Sequence, residues 1–184
     1  MSNVILKNIS KTYDGKKVLD GFSLTLQEGK RTCIMGPSGC GKTTLMHILC
    51  GLVHPDAGEV EGLPGRIAVV FQENRLCEQF TALENVRMVA PDKTARAKTL
   101  LQQLGLGESM LQRVSALSGG MKRRVAIARA LCFDAGLTVM DEPFKGLDEE
   151  TKETVLQTVL AETEGKTVLL ITCLLYTSDA ADDT

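Results

Sequence analysis

The sequence predicts an α/β protein with a mainly parallel core sheet, an antiparallel β subdomain and an inserted helical subdomain. Through much of the chain, short and wholly apolar segments alternate with helical ones, and this pattern is typical of parallel sheets whose two faces are covered. Near the start, two segments alternate apolar and polar residues, as half-buried antiparallel strands do. A block at 82–115 has helical spacing instead, which indicates helices inserted between strands.

The first half of the chain supplies most of the predicted strands. Turn residues between 55 and 65 bracket short strands, because proline and glycine interrupt regular structure. A glycine-rich turn separates the third strand from the first helix. The predicted elements are strands at Val4–Ile9, Phe22–Leu26, Thr32–Met35 and Ile67–Phe71, with a helix at Thr44–Gly51.

The second half repeats the order of strand, turn and helix. After the helical block, Ser118 heads a helix that runs to Leu131, and an apolar strand at Leu137–Met140 follows. Val155, Leu156, Val159 and Leu160 form two i,i+4 pairs on one helix face. Thr167–Ile171 is the last predicted strand.

Composition and charge are those of an ordinary globular domain. At 184 residues the chain is long enough for one substantial core. A formal net charge of −2 gives no reason to expect a nucleic-acid partner. No apolar run reaches the roughly 18–20 residues that cross a bilayer, and the first residues lack a secretory signal. The six cysteines are scattered and form no C-x-x-C pair. This spacing argues against a zinc site and against a disulfide framework. We expect a cytoplasmic protein.

One segment matches a phosphate-binding loop. Residues 36–43 fit the pattern G-x-x-x-x-G-K-[ST], after an apolar strand and before a helix. Its glycines let backbone N–H groups face phosphate oxygens, and the helix N-terminus adds positive potential. Lys42 would reach the β- and γ-phosphates, and the Thr43 hydroxyl would complete a Mg²⁺ shell. The candidate nucleotide-binding residues are Gly36, Pro37, Ser38, Gly39, Cys40, Gly41, Lys42, Thr43 and Thr44.

A pair of carboxylates follows the strand at 137–140. Asp141 at the tip of a buried strand can hold Mg²⁺, directly or through water. Glu142 can orient or deprotonate the attacking water, and a positioned general base is worth about 10²–10⁴-fold in rate. Alone, the pair is weak evidence for any activity. Together with the phosphate loop it predicts nucleotide hydrolysis.

The segment Leu117-Ser118-Gly119-Gly120-Met121 is a second candidate anion site. Ser118 is a good N-cap, and the two glycines leave backbone N–H groups uncovered. One reading is an ordinary capped helix. The other is a surface that closes over nucleotide held by a second copy. One triphosphate needs only one phosphate-binding loop, so this second site is free to contact the nucleotide of another copy. The second reading predicts a dimer with ATP at its interface.

From about residue 4 to 172 the chain resembles the ATP-binding subunit of an ABC transporter. GPSGCGKT at 36–43 is similar to its Walker A loop, LTVMDE at 137–142 to its Walker B strand and LSGGM at 117–121 to its signature motif. The one departure there is Met121, where glutamine is commoner. The resemblance implies a P-loop NTPase fold for residues 1–172, with a helical subdomain at about 82–132.

The resemblance also assigns roles to single residues. Gln72 falls at the Q-loop position, which contacts Mg²⁺, so that the implied metal contacts are Thr43, Gln72 and Asp141. Tyr13 falls at the position whose ring stacks on adenine, and Gly146–Asp148 at the D-loop that crosses the dimer interface. The implied catalytic residues are Glu142, Gln72 and Lys42. ATP and Mg²⁺ are the implied ligands.

The implied partners are a second ATPase subunit, a separate membrane permease and, indirectly, an extracytoplasmic solute-binding protein. Such a subunit lies on the cytoplasmic face of the membrane, and the segment Glu73–Cys77 would transmit its closure to the permease. The run GRIAVVFQENRL and the signature LSGGM-KRR are most similar to importers of nitrate, sulfonate or taurine.

Other proteins use the same motifs without transport. A DNA-repair or chromosome-maintenance head carries a long coiled coil between the Q-loop and the signature, but here Gln72 and Leu117 are too close for one. A ribosome-associated ABC protein generally has two cassettes in tandem, and a nucleotide kinase would lack LSGG.

The end of the sequence departs from the family pattern. Cys173 stands where the family places the H-loop histidine, and residues 173–184 resemble the translation of an adapter from transposon-based sequencing libraries. We therefore expect these residues to be non-native, and the natural protein to have a histidine at this position and a longer carboxyl terminus. The chain as written is expected to bind ATP but to hydrolyse it poorly.

Overall fold

The computed structural model describes residues 2–172, so the predictions for Cys173 and the rest of 173–184 lie outside the described residues. The elements alternate as the sequence predicts, and a 3₁₀ turn at Val114–Ala116 precedes the fourth helix. In chain order they are β1 (Val4–Tyr13), β2 (Lys16–Leu26), β3 (Arg31–Met35), α1 (Lys42–Leu49), β4 (Ala57–Glu61), β5 (Ile67–Val70), α2 (Ala82–Arg87), α3 (Thr94–Gln103), α4 (Gly119–Cys132), β6 (Leu137–Asp141), α5 (Glu149–Glu162) and β7 (Val168–Thr172).

β1, β2 and β4 form the antiparallel sheet, in the order β2-β1-β4. β1 and β2 are longer than the alternation predicts because a two-residue turn joins them directly. Tyr13 pairs with Lys16, and Asp14 and Gly15 between them have φ of 47° and 76°. Two positive φ angles are the geometry that an Asp-Gly hairpin turn requires.

The second sheet is wholly parallel, with the order β3-β7-β6-β5. Every residue of β6 is buried, since helices and the antiparallel sheet cover its two faces. Met35 pairs with Thr172 and Asp141 with Ile171, so the strands end at one edge. The two sheets and the helices confirm the predicted fold class.

Three helices begin where a side chain accepts an N–H bond from the first turn, as the sequence predicts for Ser118. Ser118 accepts from the Met121 amide at the start of α4. Asp148 does the same for α5, and Thr81 forms a capping box with Glu84 at α2. Such caps satisfy N–H groups that have no partner inside the helix.

Two apolar clusters fix the layers. One joins α2, α3 and α4 to β5, β6 and α5. The other lies between α1, the antiparallel sheet and the parallel sheet, with Leu6, Leu45 and Ile171 among its buried members. The extent of a separate helical subdomain, about 82–132, stays a prediction. Within residues 2–172 no helix has the length and apolar character needed to cross a bilayer.

Candidate functional site

The carboxyl ends of the parallel strands bring the predicted site residues together. The loop 36–43 follows β3, and Gln72 lies two residues beyond the end of β5. Asp141 ends β6, Glu142 follows it and Thr172 ends β7. In open parallel sheets ligands bind at this edge. Residues far apart in the sequence therefore share one site.

The phosphate loop closes tightly against the antiparallel sheet. Gly41 precedes the first residue of α1 with φ of 96°, and a Cβ at this position would lie 2.7 Å from the Val18 carbonyl oxygen. Both facts require glycine. The Lys42 ammonium donates to the carbonyl oxygens of Gly36 at 2.6 Å and Pro37 at 2.8 Å. Its charge is therefore held inside the loop.

Thr43 and Asp141 join the loop to β6. The Thr43 hydroxyl donates to Asp141 Oδ2 at 3.1 Å, although the two residues are far apart in the sequence. Asp141 is only 2% exposed. Burial raises the pKa of this carboxyl above its usual value, and the hydrogen bond from Thr43 partly opposes the rise.

Glu142 has an uncommon backbone conformation. Its φ is 49°, in the left-handed region that residues with side chains rarely adopt. Its amide donates to the Ile171 carbonyl at 2.8 Å, and the Thr172 hydroxyl donates to its carboxylate at 3.4 Å. The side chain is buried at the edge of the sheet, beside the phosphate loop.

A cavity of about 300 Å³ contains most of the predicted residues. Gly36, Pro37 and Cys40 belong to the same loop but do not line the cavity. Two lining residues, Val18 and Lys145, were not predicted. The lining is formed by Val18, Ser38, Gly39, Gly41, Lys42, Thr43, Thr44, Gln72, Asp141, Glu142 and Lys145.

The remaining predicted residues lie elsewhere. Tyr13 is at the end of β1, 42% exposed, with the Lys11 ammonium 5.6 Å from the centre of its ring. Ser118, Gly119 and Gly120 begin α4 outside the cavity lining. A Cβ added at Gly119 would meet nothing within 4 Å in the described chain. Their roles in stacking and in contact with a second copy stay predictions.

The polar groups suit a magnesium ion held mainly by nucleotide. Among residues 2–172 there is no group of three or more His, Cys, Asp or Glu side chains that could hold a metal. Magnesium usually binds through one or two carboxylates together with substrate phosphates and water. The Thr43 hydroxyl beside the Asp141 carboxylate fits that chemistry.

The model of the family described as ABC transporter matches residues 19–145. The chain belongs to the ABC transporter family. This confirms the family inferred from the three motifs.

Several relatives of this ABC protein are about equally similar to it. The taurine import ATP-binding protein TauB of Pseudomonas aeruginosa is 38% identical, over 94% of this chain and 73% of the relative. The bicarbonate transport ATP-binding protein CmpD of Synechococcus elongatus is 38% identical, over 92% of this chain and 69% of the relative. The lipoprotein-releasing system ATP-binding protein LolD of Syntrophus aciditrophicus is 39% identical, over 90% of this chain and 86% of the relative.

A solved ABC structure has the same fold. The dimeric structure of MJ0796, a bacterial ABC transporter cassette, superposes with a TM-score of 0.82 at 33% identity. The match covers 92% of this chain and 87% of that one. It confirms the predicted ABC ATPase fold.

Sequence reasoning missed residues that have no motif of their own. Lys145 follows Glu142 by three residues, after the end of β6. This closeness to Glu142 was the only sign in the sequence that Lys145 could line the cavity. Thr172 ends a strand that reads as purely structural. Its contact with Glu142 depends on β7 lying beside β6.

Proposed function

We propose that this chain is the ATP-binding and hydrolysing subunit that powers solute import through a separate membrane permease. The observation that carries the proposal is the joined site: Lys42 in the phosphate loop, Thr43 bonded to Asp141, and Glu142 beside them at one edge of the sheet. Phosphate binding, metal binding and water activation are thereby available within one cavity.

Each residue has a distinct task in this proposal. The Lys42 ammonium exchanges its loop carbonyls for β- and γ-phosphate oxygens. Thr43, Asp141 and Gln72 would hold Mg²⁺, which when bound neutralises charge on the phosphates. Glu142 accepts a proton from the attacking water, and its buried, hydrogen-bonded position fixes the direction of its carboxylate.

A second copy would complete the site. Ser118 and the two glycines begin α4 away from the cavity, with open space at Gly119. Uncovered N–H groups at a helix start favour an anion. Dimerisation that places this helix start over the partner's nucleotide would use a surface that residues 2–172 leave uncovered at Gly119. The similar MJ0796 structure is dimeric. Tyr13 would stack on adenine.

The permease would dock on the helical block, at the cytoplasmic face of the membrane. Phe80 and Leu111 are 45% and 71% exposed. The backbone joins their segments, because the Val114 amide donates to the Phe80 carbonyl and the Ala82 amide to the Gln112 carbonyl. The segment 73–77, which follows Gln72, leads directly to this surface.

The proposed solute is a small oxyanion or sulfonate of the nitrate, sulfonate and taurine type. The names of TauB and CmpD, which refer to taurine and bicarbonate, support this class. LolD, whose name refers to lipoprotein release, is about as similar. Release of a lipoprotein is therefore the second candidate.

The test is to co-express the full chain with a permease identified among its neighbouring genes and to reconstitute the complex in liposomes. Phosphate release is then measured with the binding protein and taurine, nitrate or bicarbonate, and separately with an acylated lipoprotein. We expect one of these three small solutes to stimulate hydrolysis. Lys42→Ala is the control that abolishes nucleotide binding.

Each other outcome has a definite meaning. Stimulation by the lipoprotein alone would replace the import proposal with the second candidate. Association with DNA or ribosomes, without a permease, would favour the non-transport classes. Leu111→Asp tests the docking surface: we expect loss of the permease with unchanged ATP affinity, and retained permease would contradict that assignment.

A further inference from the structure

An arginine buried beneath the site links three separated segments. Arg123 lies in α4 and is 4% exposed. Within the described residues, its guanidinium donates to six oxygens. They are the carbonyls of Phe71, Gln72, Asp141, Glu142 and Pro143 and the side-chain oxygen of Asn74.

This arrangement accounts for a buried charge that has no directly paired carboxylate in the described chain. Burying a charge is costly unless hydrogen bonds replace its water, and a guanidinium carries five N–H donors in a fixed plane. Burial lowers the pKa of Arg123, and the nearby charges of Asp141 and Glu142 oppose this shift. The guanidinium keeps its charge, and the carbonyls take the place of its water.

The same hydrogen bonds surround the strained residue. Glu142 has φ of 49°. Such a strained conformation persists only where several contacts from the surrounding structure hold the residue in it. Arg123 donates to the carbonyls of residues 141, 142 and 143. The peptide groups before and after Glu142 are therefore both held by one side chain. On its other side Arg123 holds the carbonyl of Gln72.

We propose that Arg123 is a positioning residue for hydrolysis, which fixes the backbone of Glu142 and Gln72 relative to each other and to α4. This inference rests on the proposed function, because it assigns Arg123 a part in directing the carboxylate that activates water. Since α4 begins at Ser118, the same helix also ties the proposed partner-facing surface to the hydrolytic edge.

Two other arginines of α4 provide matched controls. Arg129 donates to the carbonyls of Asn74 and Arg75, and none of its hydrogen bonds in the described chain reaches residues 141–143. Arg124 donates to the carbonyl of Gly120 at the start of α4 and to those of Leu104 and Gly105 just after α3. Burial lowers the pKa of both, as it does that of Arg123. All three thus hold backbone carbonyls, but of the three only Arg123 holds the Glu142 turn.

The experiment compares Arg123→Met, Arg124→Met and Arg129→Met in the full chain. Single-turnover ATP hydrolysis, ATP affinity and the unfolding temperature are measured for each. We expect Arg123→Met to lower the hydrolysis rate by about 10²-fold, the size of effect that a small misplacement can have, with ATP affinity within about threefold of the parent. The two control variants should lose stability without this selective loss of rate.

A double-variant cycle separates positioning from general weakening. If Arg123 acts through Glu142, Arg123→Met should cause no further loss of rate in Glu142→Gln, because the group it positions is already gone. An equal loss in both backgrounds would overturn the proposal. If Arg123→Met fails to fold, Arg123→Lys replaces it, since one ammonium cannot reach all six oxygens.

Amide hydrogen exchange gives a readout that does not depend on turnover. Arg123→Lys should speed exchange in peptides covering 71–75 and 141–145, and Arg129→Met only in the first of these. Parent-like exchange at 141–145 would overturn the proposal. Failure of the proposed function is recognised separately, because the parent would then bind no ATP more tightly than Lys42→Ala.

Discussion

Replacing Gly41 with alanine tests whether the phosphate loop owes its shape to backbone geometry. Gly41 has φ of 96°, and an added Cβ would lie 2.7 Å from the Val18 carbonyl oxygen and 2.9 Å from Leu19 Cδ2. Gly39, two residues earlier, has φ of 81° but no atom of the described chain within 4 Å of such a Cβ. Gly39→Ala therefore introduces backbone strain alone, whereas Gly41→Ala adds a collision with backbone.

The geometry gives the size of the effect. A left-handed conformation costs a residue with a side chain about 1–2 kcal/mol. If the loop escapes this cost by leaving the binding conformation, ATP affinity falls by about 5–30-fold. We expect Gly39→Ala to fall in this range. Gly41→Ala must also move the β2 backbone or the loop, so its loss should exceed about 30-fold.

Calorimetric titration with Mg-ATP measures both affinities, and circular dichroism confirms that each variant is folded. Gly119→Ala serves as a further control, because its φ is not positive and its Cβ would meet no described atom within 4 Å. It should leave the chain's own ATP affinity unchanged. Equal affinities for Gly41→Ala and Gly39→Ala would refute the argument from the Val18 contact.

Three further predictions concern single side chains of the site. Glu142→Gln should bind ATP normally, accumulate as a closed dimer on gel filtration and release phosphate about 10²–10⁴-fold more slowly; undiminished release would remove Glu142 from its role. Alkylation of the exposed Cys40 thiol, whose sulfur is 3.7 Å from the Lys42 ammonium, should block ATP binding in the parent but not in Cys40→Ser. Unchanged affinity after complete modification of Cys40 would contradict this. Because burial raises the pKa of Asp141, its stabilising contribution is present below the unfolded pKa and is lost as pH rises through the folded value. The unfolding temperature of Asp141→Asn relative to the parent should therefore increase from about pH 4 to 7, and a constant difference across this range would count against a raised pKa.

The strands and helices could be predicted closely where the local pattern carries the information. Ser118 at the start of α4 and the apolar run of β6 were read directly from residue types. The extension of β1 to Tyr13 could not be read this way, because its polar end is held by the pairing with Lys16 across the Asp14-Gly15 turn. Pairing partners, rather than apolar alternation, set that boundary.

The sequence by itself determined the phosphate loop, the carboxylate pair and the family, because these depend on residue types at fixed spacing along the chain. Only the tertiary structure decided what surrounds them. Thr172 reaches Glu142 because β7 lies beside β6. Arg123, which has the sequence character of a surface residue, is buried against the residues that follow β5 and β6. Burial and hydrogen bonding between distant segments arise only when the chain has folded. The spacing of residues along the sequence therefore does not predict them.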